Sequence, residues 1–512
     1  MRNFILCMVL FVSAIFFDDA HCQIGDLPRS TPEAEGVSSK AVLNFVESLS
    51  AIKEIHGFMI LRHGKVISEG WWNPFEPKLK HTLYSVSKTF TATAAGFATV
   101  DGLLSVDDRV ITFFPEYLPE TISPNLSKMT IKHLLGMSTG QEFEPTNAIR
   151  KENGEWIESF FAVPVIHEPG TVFMYNSMAS FMLSAIVQKV TGMKISDYLK
   201  IKLFEPLNII DADWEENPAG INVGGWGLRV QTESMAKFGQ FFLQKGRWND
   251  KQIISEAWIN EATTATVSNK NNGDNPDREQ GYCYQMWRCR HNAVRMDGAF
   301  GQFVVIMPDQ DMVVVMTANV GDMADQLNKV WDNILPGVSA DVLPADPESL
   351  RKLDAKIASL SIPAPEQTKK DAAISARINK KTYRFENNNR NIESVSFNFD
   401  NDECIADFRI GNRYYAIPFS KNKWHTGDTG RPPTSLIPSP AAFNGYMFRT
   451  AGAYSWKDDT TLELVLRYID GIHTDVITCR FGSSEVTMEF DENVNPDNYV
   501  KTVTGKIEYR KD

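Results

Sequence analysis

The chain predicts two folded units in series. The first is an α+β domain whose antiparallel sheet is made from both chain ends with a helical insert between them, and the second is an all-β domain. Three observations carry this. Strand-like runs occur near residues 55–72 and again at 282–317, with helical spacing in between. Prolines 336, 344, 347, 363 and 365 punctuate the stretch that follows. Beyond it, apolar and polar residues alternate between Gly, Asn and Asp turns. A chain of 512 residues, 43% hydrophobic and 23% charged, has ordinary globular composition, and its 32 Gly and 25 Pro show no period. A disordered or collagen-like chain is excluded. The net charge of −12 has the wrong sign for tracking a phosphate backbone, so no nucleic-acid partner is expected.

Taken in order, residues 1–22 read as a cleaved signal peptide. Arg2 is basic, Phe4 to Phe17 is an apolar run too short to span a bilayer, and Ala20-His21-Cys22 offers small residues for cleavage before Gln23. No later run is long and apolar enough to span a membrane, which predicts a periplasmic or secreted protein without a transmembrane segment. Residues 38–52 have helical spacing. His56–Arg62 and Val66–Trp72 flank His63-Gly64-Lys65, a hairpin signal. Residues 89–104 form an apolar helix ended by Asp101-Gly102, and helices continue to about Thr263. Strands return at 282–290, 293–296, 302–307 and 312–317, with Pro308–Asp311 as a turn, and Met323–Ile334 closes the unit. These patterns divide the chain into a first domain at 23–340, a Pro-rich linker at 341–370 with an amphipathic helix from Glu348 to Leu360, and a β-domain at 371–512. Each domain can bury a core, so 23–340 is expected to fold and act without 371–512.

In the last unit, runs such as Ser394–Phe399, Ile405–Ile410, Leu462–Tyr468 and Val486–Phe490 suggest an antiparallel barrel or sandwich, lipocalin-like in character. Four cysteines remain after the signal. Cys283 and Cys289 lie six apart in an alternating, strand-like run that would hold them roughly 20 Å apart, so they are not expected to bond. Cys404 and Cys479 fall in separate strands and could meet across a sheet. No spacing of His, Cys, Asp or Glu suits a metal, and no cofactor is expected.

The sharpest chemical feature is Tyr84-Ser85-Val86-Ser87-Lys88. On a helix, positions i and i+3 share a face, so Ser85 and Lys88 can stand together. A lysine in apolar surroundings sheds its proton and can then deprotonate a serine, which at a helix N-terminus sits where backbone N–H groups can hold an oxyanion. A second serine, in Gly136-Met-Ser138-Thr-Gly140, has the G-x-S-x-G spacing of a nucleophile elbow. It lacks the strand before and the helix after that an elbow needs.

The stretch from His81 to Asp108 resembles the serine β-lactamase-like hydrolase family of penicillin-binding enzymes, class C β-lactamases and related esterases and amide hydrolases. Thr130–Gly140, Pro169–Ser177, Gly224–Leu228 and Gly298–Gln302 match it in order, over roughly residues 30–335. The resemblance implies a β-lactamase-like α+β fold, Ser85 as nucleophile, Lys88 as base and Tyr175 as proton relay, with the N–H groups of Ser85 and Ala299 as oxyanion hole. It places Gly298 against the substrate. Trp226, Trp287 and Phe300 would line an apolar pocket, and His81 would be structural. The match departs from the family at Tyr175-Asn176-Ser177, which ends in Ser, and at Met296-Asp297-Gly298, which keeps only the Gly of the third block.

The expected function is hydrolysis of a small ester, amide or peptide. Substrates bearing a carboxylate should be poorer, because Met296 offers no charge, Asp297 would repel an anion, and Arg295 points to the opposite face of its strand from Met296. The alternatives are D-alanyl-D-alanine peptidase or β-lactamase activity, or a catalytically inactive ligand-binding protein. For the export signal the expected outcome is a mature chain beginning at Gln23, read by N-terminal sequencing of exported protein; an acylated Cys22 at the N-terminus would contradict it.

Overall fold

The computed structural model describes residues 26–145, 155–210, 212–270, 275–368, 374–434, 445–494 and 499–508. The expected signal at 1–22 and its cleavage point lie outside the described residues. Helix α1 (Ser39–Ser50) leads into β1 (Ile55–Arg62) and β2 (Lys65–Trp71). His63 and Gly64 both take left-handed conformations between them, as a two-residue hairpin turn requires. Then come β3 (Lys80–Thr82), helix α2 (Ser87–Val100), β4 (Asp213–Trp214), β5 (Leu228–Gln231), and the short pair β6 (Arg247–Trp248) and β7 (Lys251–Gln252). The sheet resumes with β8 (Trp287–Arg288), β9 (Val294–Gly298), β10 (Gln302–Met307) and β11 (Met312–Ala318).

Six strands run in the order β2-β1-β11-β10-β9-β8, and the ladder joining β1 to β11 pairs Ile55 with Ala318 and Arg62 with Met312. Strands from the two ends of the domain thus make one sheet. Both faces are covered, which explains near-continuous apolar strands. Met59, Leu61, Val304 and Val313 face the helical insert, while Phe58, Ile60, Phe303 and Val314 face α1 and the helix Met323–Lys329. The Pro-punctuated stretch is docked on that second face: its helix Pro347–Ala358 buries Leu353, and Leu360 and Ile362 join the same core.

Residues 282–290 depart from the expected strand. Cys283 N–H bonds the Met286 carbonyl, Gln285 has φ +58°, and only Trp287–Arg288 pairs as strand. The alternation was interrupted because Gln285 turns inward, where its amide donates to the Leu134 and Leu135 carbonyls at 2.9 and 3.1 Å.

The last unit contains β12 (Thr382–Phe385), β13 (Ile392–Asp400), β14 (Glu403–Ile410), β15 (Arg413–Lys421), β16 (His425–Thr429), β17 (Phe448–Trp456), β18 (Thr461–Tyr468), β19 (Thr474–Phe481), β20 (Glu485–Glu492) and β21 (Thr502–Ile507). They follow the order β15-β14-β13-β12-β21-β20-β19-β18-β17-β16. A pairing of β15 with β17 closes nine of them into a barrel. That closure is parallel, Ser420 beside Ala453 and Lys421 beside Tyr454, and so departs from the all-antiparallel expectation. The interior is filled with Phe397, Phe419, Trp456, Tyr383 and their neighbours. Cys404 and Cys479 are buried there as free thiols, and Cys283 and Cys289 are also unbonded.

At the seam, a Cβ on Gly452 would lie 2.3 Å from the Pro418 carbonyl oxygen, with no flexible atom to yield. Gly452→Ala is expected to cost about 1–3 kcal/mol by overpacking and to lower the unfolding midpoint measured by circular dichroism; an unchanged midpoint would show that the seam relaxes freely.

Candidate active site

The chain reaches Ser85 through a tightly held approach. β3 pairs with β5, and Leu83 N–H donates to the Leu228 carbonyl at 2.9 Å. Tyr84 then takes φ +48°, a left-handed conformation that costs a bulky residue about 1–3 kcal/mol unless its surroundings impose it. Ser85 sits in the single 3₁₀ turn Tyr84–Val86, immediately before α2. The expected i, i+3 geometry is present: Lys88 Nζ is 3.0 Å from Ser85 Oγ and donates to the Gly225 carbonyl at 2.6 Å. Lys88 is 1% exposed, and burial lowers its pKa to about 7, against the opposing pull of the Glu144 and Asp297 carboxylates.

Tyr175 completes the cluster from the segment before the helix Ser177–Thr191. Its ring centroid is 5.0 Å from Lys88 Nζ, and its phenol lies near enough to Ser85 to feel the hydroxyl electrostatically. Burial pushes that phenol above its ordinary range, the Ser85 hydroxyl opposing, so the phenol stays protonated at neutral pH. Asn176 caps the helix, its side-chain oxygen accepting from Met178 and Ala179 N–H at 3.0 and 3.2 Å. Ser177, where the family pattern has Asn, packs on Gly225; a Cβ there would lie 2.9 Å from the Ser177 carbonyl.

The third block runs alongside. Gly298 ends β9 so close to the approach that a Cβ would lie 2.3 Å from the Leu83 carbonyl. Ala299 and Phe300 follow, half-buried, with the Phe300 ring edge-on to Tyr84 at 5.6 Å. Trp287 stacks on Tyr175 at 5.9 Å and 20°, and Phe173 packs edge-on to Trp287. Trp226 is a correction: it is 5% exposed and lies against Trp156 in the helical core, since the tight glycine turn around it directs the large ring into packing.

One further reading changes. Met296 is fully buried in the core, and Arg295 does lie on the other face, but Asp297 shares that face two residues on. Arg295 Nε binds Asp297 at 2.9 Å, so the Asp297 charge is compensated and does not stand alone against an anion. His81 is buried in β3, bonded to His56 at 2.9 Å and to the Thr82 carbonyl, and burial lowers its pKa to about 4. Ser138 follows the helix Ile131–Leu135 and is 4% exposed, without a strand before it. Among the described residues no cluster of His, Cys, Asp and Glu could hold a metal. A cleft lined by Asp26, His63, Gln240 and Trp248 lies elsewhere on the domain and includes none of Ser85, Lys88 and Tyr175.

Sequence reasoning missed the Gly225 carbonyl, the Glu144 carboxylate and Arg278. The Gly224-Gly225-Trp226-Gly227 run signalled a close backbone approach but not its partner. The Arg278 guanidinium lies 5.8 Å from the Trp287 ring and forms no ion pair among the described residues.

A family model described as Beta-lactamase matches residues 45–338, more than half of the chain. The 6-aminohexanoate-dimer hydrolase of Paenarthrobacter ureafaciens is 22% identical over 309 residues, covering 56% of this chain and 77% of its own. Lovastatin esterase of Penicillium rubens is 26% identical over 155 residues, covering 26% of this chain and 39% of its own. Among solved structures, the octameric penicillin-binding protein homologue from Pyrococcus abyssi is 15% identical with a TM-score of 0.46, covering 91% of this chain and 99% of that one. The chain therefore belongs to the Beta-lactamase family and is a serine hydrolase of that family.

Proposed function

We propose that this hydrolase cleaves esters or simple amides through an acyl-enzyme on Ser85. The carrying observation is Lys88, buried, poised near neutrality and 3.0 Å from the Ser85 hydroxyl. Neutral Lys88 takes the Ser85 proton as Oγ bonds to the carbonyl carbon, and the carbonyl oxygen gains the negative charge. The N–H groups of Ser85 and Ala299 stabilise that oxyanion. Tyr175 passes a proton to the leaving oxygen or nitrogen as its bond to carbon breaks, and water then releases the acid from Ser85. Gly298, Phe300 and Trp287 border the acyl and leaving groups. The export pattern at residues 1–22 supports a periplasmic or secreted location.

Carboxylate-bearing substrates are disfavoured because β9 presents no free cation: Arg295 is committed to Asp297. Losing charge-assisted hydrogen bonds costs about 1.5–3 kcal/mol each, a ten- to hundredfold effect on turnover. Arg278 favours a second reading, in which it meets a substrate carboxylate over Trp287.

A fluorophosphonate probe should label the peptide containing Ser85, and Ser85→Ala should abolish labelling and turnover; an adduct on Ser138 would overturn the mechanism. The same probe labelling nothing would favour the ligand-binding alternative. Because protonated Lys88 cannot accept a proton, kcat/KM should fall about tenfold per unit below about pH 7 and level off above it. A flat profile through that range would remove Lys88 as base. On p-nitrophenyl acetate or butyrate, kcat/KM should exceed that on nitrocefin or a D-Ala-D-Ala peptide. If either of the latter is better by about tenfold, and Arg278→Ala removes the advantage, the second reading replaces the first.

A further inference from the structure

The barrel reaches the approach to Ser85. The turn between β18 and β19 lies against it: Thr82 donates to the Asp470 carbonyl from its N–H at 2.9 Å and from its hydroxyl at 3.2 Å. The next carbonyl but one, that of Ile472, accepts from the Asn319 side chain at 3.3 Å and from that of Asn493 at 2.6 Å. This turn is thereby tied to β3, to the residue after β11 and to the end of β20. Ile472 and Val494, 2% and 5% exposed, form with Tyr84 a small apolar cluster of their own, on which Ala299 and Phe300 pack.

The apolar residues that the first domain brings to this cluster, Tyr84, Ala299 and Phe300, each are or adjoin a residue of the proposed oxyanion hole. Tyr84 precedes Ser85, and Ala299 supplies the second N–H. Tyr84 also carries the left-handed backbone that turns the chain into the nucleophile, a conformation that has to be imposed from outside. The first domain contributes Ala299 and Phe300 to that task, and the barrel contributes Ile472 and Val494. The junction is anchored nearby by Arg467, which grips Glu54 through both guanidinium ends at 2.6 and 2.9 Å, and by Arg229, whose guanidinium lies 3.7 Å over the Tyr446 ring.

We infer that the barrel is part of the catalytic machinery: Ile472 and Val494 are positioning residues that hold Tyr84 and Ala299, and with them the oxyanion donors, in register. This rests on the ester- or amide-cleaving reading of Ser85. The first domain alone would then keep its Ser85–Lys88 pair but lose alignment of the donors, in contrast to the independent activity expected from the two separate sequence patterns.

The test uses the full chain. Ile472→Ala should lower kcat on p-nitrophenyl acetate about tenfold or more, as misplaced donors do, with KM changed less than about twofold. The rate per active site, counted by fluorophosphonate titration, should fall equally, and the pH midpoint near 7 set by Lys88 should stay in place. Ile472→Val should restore most of the rate, and Val494→Ala should repeat the loss if Ile472→Ala proves unstable. An unchanged rate per titrated site in both alanine variants would overturn the inference, reducing the barrel to a packing partner while leaving the Ser85 reading intact. A wild-type chain that neither labels nor hydrolyses esters would overturn both.

Discussion

The site depends on one buried amine. Lys88 can lie at the centre of a packed domain only if its charge is given up or its N–H groups are met, and the fold does both: burial favours the neutral form, and the Gly225 carbonyl takes one hydrogen bond. This constraint propagates outward. Gly225 must lack a side chain because Ser177 crowds it, which fixes the glycine turn against the start of the helix Ser177–Thr191. That helix start in turn delivers Tyr175 to the face of the cluster. The serine, the tyrosine and the glycine turn come from three distant parts of the chain and are brought into register around the same buried amine.

The long β1–β11 ladder supplies the rigid base for this arrangement. β9 is the third strand from β1 in the sheet, and its last residue abuts the Leu83 carbonyl, so the strand edge and the approach to Ser85 are located against one another by backbone contact rather than by flexible side chains. The Arg295–Asp297 pair then sets the electrostatic character of that edge. A carboxylate facing the phenol and the amine would favour protonated Lys88, and the neighbouring guanidinium offsets much of that field.

Much of this was legible in the residues, and the exceptions have physical reasons. The hairpin at His63-Gly64, the strands β10 and β11 and the α2 helix follow from local periodicity and turn chemistry, which act over a few residues. The adjacency of Ser85 and Lys88 follows from helical pitch alone. The turn at Gln285 was hidden because a buried amide can replace an apolar side chain once two carbonyls receive it, leaving the alternation on paper undisturbed. Trp226 read as a pocket wall because an aromatic among clustered glycines has the same one-letter pattern whether it packs inward or outward. The compensation of Asp297 by Arg295 was within reach, since residues two apart on a strand share a face. The parallel seam at Gly452 and the packing of Ile472 beneath Tyr84 were not, because both join segments tens to hundreds of residues apart through shape rather than through any repeating signal.

The sheet assembled from both ends of the first domain has a temporal consequence. β1 finds its central partner only when Ala318 is available, some 260 residues after Ile55, and the contacts beneath Tyr84 wait for Ile472 and Val494. Such long-range pairing makes closure a late and slow event in folding. A nascent chain therefore carries Ser85 and Lys88 as ordinary side chains, the lysine solvated and charged, and brings them into their buried pair only once strands from both ends of the first domain have met.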